Sequence, residues 1–505
     1  MRTPARRKGS APRQMVSMSK SYPAPLGGWN DRDALAAMPI TDAITLENWF
    51  PGTSYLEVRG GSSNHVTGMS LNVSTLAVYN ALNGTNKMFG VTSAGVYDVS
   101  SAGAVGASVA ARTNAKHQWL NFGDGTNNYL MMFNGVDKPL YYNGTTWIAV
   151  DGASSPALTG LTTTSIISAF ASKGRLYFIE KDSLSFWYLA AGAAGGALTE
   201  FPLDAEATEG GYLVAGATWT FDGGDGIDDA VVFVTSKGQV IIYKGTNPSS
   251  AVAWSKVGVF KLGEPLGRRC FVQHGGDLIL ICQNGAFPLS AALQSAAIDN
   301  RTAITNKIEN SFNRSALTYG SIYGWEGVLH PTKSALIFNI PKAEGGTHEQ
   351  YVMNTITKSW CKFTEWAAEC FVVFNRELYY GAVGKVVKAW TGTSDNNANI
   401  VAYGKQAFSY FSRPGTQKRT MMYRPTLAVN GNISFLTDID VDFRDTAISG
   451  LATYTVTSGA QWDVSIWDSA YWAAGVEVVS NWTSPEANVG YCISGKVKVN
   501  TNSLT

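Results

Sequence analysis

The chain repeats itself, and that restricts its fold more than any other property. From Asp229 to Gly245 it reads DAVVFVTSKGQVIIYKG. An apolar run, Val231 to Val234, leads into the polar turn Thr235, Ser236, Lys237 and Gly238, and a second apolar run, Val240 to Tyr243, returns. Two such runs joined by a Gly-bearing turn predict a β-hairpin buried on both faces. A hairpin this apolar needs neighbours of its own kind. Units of the same pattern begin at Met88, Tyr129, Leu176, Leu278, Ala335 and Leu378. Taken with Val231, their first strands start roughly 41, 47, 55, 47, 57 and 43 residues apart. Periods of about 40 to 50 residues holding several strands each are the pattern of propeller blades. A solenoid would have shorter and more regular repeats, and a sandwich would show no such echo. The expected fold is all-β: a β-propeller of six or seven blades.

Composition fits that expectation. Of 505 residues 52 are Gly, and only 15% are charged, against about a quarter in an average protein. Low charge with abundant turn residues suits tight β-meanders. It also suits a surface largely covered by partners. No apolar run approaches the length of about 18 residues that a membrane-spanning helix needs, so no membrane anchor is expected. The basic start has no apolar stretch behind it and does not read as a secretory signal. Five cysteines, Cys270, Cys282, Cys361, Cys370 and Cys492, show no CxxC spacing. They are expected to be buried free thiols in a protein assembled in a reducing cytoplasm.

In chain order, residues 1–20 form a basic arm with Arg2, Arg6, Arg7, Lys8, Arg13 and Lys20 and no acid. Either it is a flexible solubilising tail, or it orders against an acidic partner. The whole chain has 39 bases and 38 acids; without the arm's six bases, 33 face 38, and the body is near −5. Residues 21–61 are expected to clamp the first blade to the last. Within them, a short helix is expected from Asp31 to Ala37, stopped by Pro39. A second helix or turn is expected from Asp42 to Asn48, and the sheet is expected to start at Tyr55 to Val58.

This segment carries Gly27, Gly28, Asn30, Arg32, Asp33, Ala43, Asn48, Trp49, Phe50, Pro51, Arg59, Gly60 and Gly61. In that arrangement it resembles the opening of the tail nozzle, tail tubular or head-to-tail stabilisation proteins of short-tailed bacteriophages. A weaker similarity continues to about residue 393, through YNGTTW at Tyr142 to Trp147 and the stretch from Gly263 to Gly285. The resemblance implies a virion protein of the phage tail. Six copies would form a ring below the portal and the head-to-tail adaptor, with propellers outside and a DNA channel in the middle. Tail fibre or tip proteins would be further partners. DNA would pass through at genome ejection without specific binding.

Residues 62–393 are read as the propeller. Within it, Leu293, Ala296, Ala297, Ile304, Ile308 and Phe312 have helical spacing and predict a helical insertion near 290–320. It would serve as a partner contact or as a plug over a blade edge. After the polar stretch Thr391 to Asn399, residues 394–505 are read as a second all-β domain. Trp462, Trp467, Trp472 and Trp482 are concentrated there, as in a core or a subunit interface.

No catalytic constellation stands out. His65, His117, His274, His330 and His348 are scattered without zinc-ligand spacing, and neither a GxSxG elbow nor a Walker A sequence occurs. A sialidase-type site would need three converging arginines, and nothing in the spacing of Arg175, Arg268, Arg269 and Arg376 selects them. The acidic run Asp222 to Asp229 has oxygens for calcium but lacks the EF-hand spacing. Paired Arg268 and Arg269 could touch phosphate or bridge to nearby acids. The expectation is a structural protein, not an enzyme, with no cofactor and no metal site. The alternatives are a glycan-binding receptor protein, which would repeat an aromatic and polar set in every blade, and a glycan hydrolase.

Overall fold

The computed structural model describes residues 18–222, 227–292, 300–429, 433–448, 451–454, 477–480, 482–485 and 489–502. Seven antiparallel meanders follow one another. Blade one is Thr75–Tyr79, Lys87–Thr92 and Gly95–Asp98. Blade two is Gln118–Gly123, Asn128–Phe133, Leu140–Tyr142 and Trp147–Ala149; blade three is Ile166–Ser172, Arg175–Glu180, Ser185–Tyr188 and Thr199–Pro202. Blade four, Leu213–Asp222, Ile227–Thr235, Gln239–Gly245 and Trp254–Lys261, contains the hairpin expected from the sequence. Blade five is Phe271–His274, Asp277–Cys282 and Gly285–Pro288; blade six is Glu326–His330, Ala335–Pro341, His348–Asn354 and Trp360–Phe363.

Blade seven is composite. Cys370–Phe374 and Glu377–Ala389 come from late in the propeller, and the third strand, Ser62–Asn72, comes from its beginning. Ala389 pairs with Ser62 and Val386 with Val66, which ties the two ends of the ring together. Each blade touches the next around the whole circle, including Cys370–Phe374 against Thr75–Tyr79. The protein is a closed seven-bladed β-propeller.

The blades hold together through the period-two alternation of their strands. In blade four, Val231, Phe233, Ile241 and Tyr243, with Trp254 of the same blade, face blade three and pack on Phe170, Tyr177 and Phe186. The intervening Ala230, Val232, Val234, Val240 and Ile242 face blade five and meet Leu278, Leu280 and Phe287. Blade two divides in the same way: Leu130 and Met132 join blade one, while Met131 and Phe133 join blade three. Each apolar hairpin therefore serves two interfaces. That is why its runs are continuous rather than alternating. In blades one to six the repeats visible in the sequence are the second and third strands; the unit expected at Leu378 is not a hairpin, because Glu377–Ala389 runs on as one strand and pairs with Ser62–Asn72. The innermost strands, such as EGVLH at Glu326–His330, are shorter or more mixed in polarity.

The sheet of blade six does not end at its fourth strand. Gly28–Trp29 pairs in parallel with Trp360, then Asp42–Glu47, Ile400–Gln406, Ile493–Thr501, Ile433–Val441 and Leu451–Tyr454 follow in turn. One ten-stranded sheet thus runs from the propeller axis into the C-terminal region.

Two local expectations are corrected. Asp42 to Glu47 is a strand, not a helix, because Ala43, Thr45, Leu46 and Glu47 pair with Gln406, Lys405, Gly404 and Tyr403. Residues 31 to 37 form turns instead of a helix, with Asn30 Oδ1 accepting the Arg32 and Asp33 amides. That side-chain bond competes with helical backbone pairing. The clamp segment 21–61 lies against blade six and the C-terminal strands; the strand that joins the last blade begins just after it, at Ser62.

In the insertion, Glu309–Tyr319 is a helix preceded by short turns, and Phe312 and Ala316 enter the core; Leu293, Ala296 and Ala297 lie outside the described residues. So do the arm residues Arg2, Arg6, Arg7, Lys8 and Arg13, together with Trp462, Trp467, Trp472 and positions 223–226 of the acidic run. Lys20 is exposed. All five cysteines are buried and free. Among the described residues no helix is long and apolar enough to cross a membrane.

Candidate functional site

The residues singled out by the N-terminal pattern meet at one place, where blade six, blade seven and the C-terminal strands join. Gly27 and Gly28 begin it. Gly28 has φ +81°, and a Cβ there would lie 2.6 Å from both the amide nitrogen and the carbonyl oxygen of Trp360. Only glycine lets the chain enter the sheet so close to its neighbour. Asn30 follows, buried, and its Nδ2 donates to Asp33 Oδ2 and Asp42 Oδ2, each at 2.8 Å. Lys307 Nζ closes the group from the other side, 2.8 Å from Asp42 Oδ1 and 2.7 Å from the Gly27 carbonyl.

The same turn is fastened to the helix Glu309–Tyr319. Asp31 Oδ2 accepts the Ser311 amide at 2.6 Å, satisfying one of the free donors of the helix's first turn. Burial pushes the Asp31 carboxyl up, opposed by that hydrogen bond. Arg32 pairs with Asp33 at 2.8 Å and also donates to Asn306 Oδ1. Hydrogen bonds from Arg32 and Asn30 hold Asp33 below the usual carboxylate range.

Asn48 is the next node. It is fully buried and has φ +56°, a left-handed conformation that Asn tolerates better than most residues. Its Nδ2 donates to Thr364 Oγ1 and to the Val401 carbonyl, each at 2.8 Å; its Oδ1 accepts the Thr364 amide and Arg59 Nε, each at 2.9 Å. One side chain thereby binds blade six, the first C-terminal strand and Arg59. Trp49 and Phe50 are buried in the adjoining core, Phe50 edge-on to Trp390 at 5.2 Å. The Pro51 carbonyl accepts Asn354 Nδ2 at 2.9 Å.

Arg59 completes the junction. Its side chain is fully buried, with Nη2 2.5 Å from Asp395 Oδ2 and 3.0 Å from the Thr364 carbonyl, and Nη1 3.1 Å from Asp395 Oδ1. The guanidinium lies 4.8 Å from the Trp366 ring centroid. This two-pronged carboxylate geometry, backed by an aromatic face, is specific to arginine. Asp395 also accepts Ser62 Oγ at 2.8 Å. Gly60 and Gly61 leave room for the chain to pass: a Cβ on Gly61 would lie 2.0 Å from the Ser394 carbonyl. The polar stretch Thr391 to Asn399 is therefore the other half of the interlock.

Sequence reasoning missed the partners: Lys307, Thr364, Trp366 and Asp395. Asp395 sits in a run, SDNNAN, that reads as a linker. The pairing of a base with an acid far along the chain leaves no local signal.

The paired arginines have separate partners. Arg269 Nη1 binds Glu326 Oε2 at 2.8 Å, and its Nη2 reaches Thr75 Oγ1 and the His117 carbonyl, which links blades five, six, one and two. Arg268 donates to the Asn134 carbonyl at 3.2 Å, while Arg175 binds the carbonyls of Leu189 and Thr246. Among the described residues no group of three or more His, Cys, Asp or Glu is placed to hold a metal ion.

No known family profile and no curated protein matches the chain. Solved structures do. The β-propeller domain of Swd1 from Myceliophteria thermophila is 13% identical, covers 67% of this chain and 100% of its own, with a TM-score of 0.37. A protein from Bacteroides fragilis named as a candidate 6-phosphogluconolactonase is 12% identical, with coverages of 65% and 90% and a TM-score of 0.34. An exo-β-1,3-galactanase from Phanerochaete chrysosporium is 9% identical, with coverages of 77% and 94% and a TM-score of 0.24. These likenesses transfer no activity to this chain. They do correct the expectation that it is not an enzyme. Two of the three are named for enzymes.

Proposed function

We propose that the chain is a structural virion protein, one subunit of a ring-shaped tail nozzle that conducts DNA during genome ejection. The observation that supports this reading is the convergence of the nozzle-like motif on one interlock. Gly28, Asn30, Asn48, Arg59 and Gly61 lie apart in the sequence, yet all belong to the junction between the propeller and the C-terminal strands: Gly28 pairs with Trp360 of blade six, Asn30 holds Asp42 of the adjoining strand, Asn48 bonds both Thr364 and Val401, and Arg59 and Gly61 hold the connecting stretch at Asp395 and Gly392.

The mechanism is mechanical. A propeller continued by a ten-stranded sheet is a stiff, wide piece in which the two parts cannot shear past each other. Identical pieces joined through lateral, heterologous contacts close into a ring. Obligate contacts of this kind bury upwards of about 2,000 Å², enough to hold a pressurised conduit. A body near −5 gives the wall little hold on phosphates, because tight DNA binding needs many Lys and Arg contacts. The basic arm then docks on the adaptor above.

Light scattering and negative-stain imaging of the purified protein, alone and with phage-head components, test this reading. A ring with a central hole, formed alone or on the head-side partner, is the expected result. A stable monomer that ignores the head and binds host surface sugars would replace the reading with that of a receptor-binding protein.

A further inference from the structure

Blade six sends a loop away from its own sheet. Residues 342–347 join the strands Ala335–Pro341 and His348–Asn354 on the face where the inner strands begin. Glu344 Oε1 meets Lys116 Nζ, at the entrance of blade two, at 2.8 Å. The Gly345 amide donates to Glu369 Oε1 at 2.5 Å, just ahead of the blade-seven strand Cys370–Phe374. A Cβ on Gly345 would lie 2.5 Å from Nδ2 of Asn72, the last residue of the strand that closes the ring. The loop thus ties blades six, seven and two together beside the closure.

Under the loop two acceptors face each other. The His348 and Glu369 side chains are 0% and 1% exposed, and His348 Nε2 lies 4.0 Å from Glu369 Oε2. Neither atom has a hydrogen-bond partner among the described residues. His348 Nδ1 is 3.1 Å from the Gly346 carbonyl, so the ring N–H sits there and Nε2 of the neutral ring carries a lone pair. An ionised Glu369 would aim a second lone pair at it in a dry interior, which costs free energy. A water bridging 4.0 Å by two ordinary hydrogen bonds would have to bend them to about 90°. A single proton between the two atoms satisfies both.

Burial disfavours charge on either group, pushing the Glu369 carboxyl up and His348 down. The Gly345 amide and Lys116 oppose the shift of Glu369, Glu344 adds to it, and Lys116 is itself paired with Glu344. Burial also keeps the adjoining Cys370 thiol neutral. The proton therefore belongs on Glu369.

We propose that Glu369 is a protonated carboxyl donating to His348, and that this one-proton pair is a pH-sensitive latch on the loop. Closed, the pair holds one proton. In the open loop both groups take their ordinary values, about 4.3 for Glu and about 6.5 for His. Between those values the open pair also holds one proton, on His348, and closure does not vary with pH. Above about pH 6.5 the open pair holds none, so each unit favours opening about tenfold until the closed Glu369 ionises. Below about pH 4.3 the open pair holds two, and acid loosens the latch as well. Closure is tightest in mild acid.

Hydrogen exchange of the Gly345 amide in the full chain tests the latch, with the intrinsic base-catalysed rate divided out. In the parent its protection should fall about tenfold per unit from about pH 6.5 upward. Amides of Ala335–Pro341 should not follow. Glu369→Gln keeps an acceptor for Gly345 and offers His348 an N–H that does not ionise, so its protection should stay level over that range. The infrared difference between the parent and Glu369→Gln at about pH 6 should contain a protonated-carboxyl band. Level protection in the parent, an equally steep fall in Glu369→Gln, or the absence of that band overturns the proposal. So does an equal loss at Ala335–Pro341, which would mean that the whole blade opens.

Discussion

Arg59 and Asp395 are 336 residues apart in the chain, yet their charged groups meet at 2.5 Å. The pair lies where the first strand of blade seven's closure, the outer strand of blade six and the start of the C-terminal sheet come together. The Arg59 side chain is fully buried, and that of Asp395 is 15% exposed. Removing one member strands the other.

Arg59→Met should therefore destabilise the protein by about 3 to 5 kcal/mol. Asp395→Asn keeps an acceptor for Arg59 and should cost less. Urea unfolding followed by tryptophan fluorescence reads both, since Trp366 and Trp390 adjoin the pair. An Arg59→Met variant within about 1 kcal/mol of the parent, the range of an exposed pair, would show that the junction does not depend on this bond.

Two glycines separate backbone strain from crowding. Gly28 and Gly84 have nearly the same φ, +81° and +78°, but a Cβ on Gly28 would strike the Trp360 backbone at 2.6 Å, whereas Gly84 has nothing within 4 Å. Gly84→Ala should cost about 1 to 2 kcal/mol, the strain alone. Gly28→Ala should cost well beyond that, about 3 kcal/mol or more, because the sheet must also open. Equal melting temperatures for the two variants would refute the argument.

Stability should fall as the solution is acidified below pH 6.5. Burial, assisted by the Arg112 charge, pushes His117 down to about 3. The unfolded chain therefore binds a proton between about pH 6.5 and 3 that the native state refuses. The stability is fully present above the unfolded value and is lost as pH falls, by about 1.4 kcal/mol per unit. Burial pushes His65, His330 and His348 in the same direction, so the parent slope is a sum. His117→Gln should make the stability–pH plot between pH 6.5 and 5 shallower by one proton's share. An unchanged slope would remove His117 from the account.

Between blades, Phe233 stacks on Phe186 at 4.5 Å and is fully buried. Phe233→Ala should lower the unfolding free energy by about 3 to 5 kcal/mol, the range for a large core cavity. The exposed Val252→Ala should lie within about 0.5 kcal/mol of the parent. Calorimetry on the two variants gives the comparison.

Deleting residues 1–20 removes six bases. On the proposed function, the truncated chain should still form rings but fail to attach to adaptor-bearing heads. Normal attachment would leave the arm as a solubilising tail.

The blades were legible because their middle strands are apolar on both faces, a pattern that can be read from a short window. Ala230 to Val234 and Val240 to Tyr243 need no knowledge of distant residues to be recognised as strands. The inner strand Glu326–His330 was not legible, since EGVLH fits several conformations. Asp42–Glu47 was misread for a related reason: DAITLE carries no strong local preference, and its pairing with Ile400–Gln406 decides it.

The repeat, its period and the presence of a special N-terminal motif belong to the sequence by itself, for hydrophobic alternation and glycine placement are local properties. The count of seven blades, the borrowed strand Ser62–Asn72, and the meeting of Asn48 and Arg59 with Asp395 belong to the tertiary structure. Those features depend on which distant edges have unpaired hydrogen-bonding groups and which buried charge lacks a counter-ion. Only the closed ring brings such partners together.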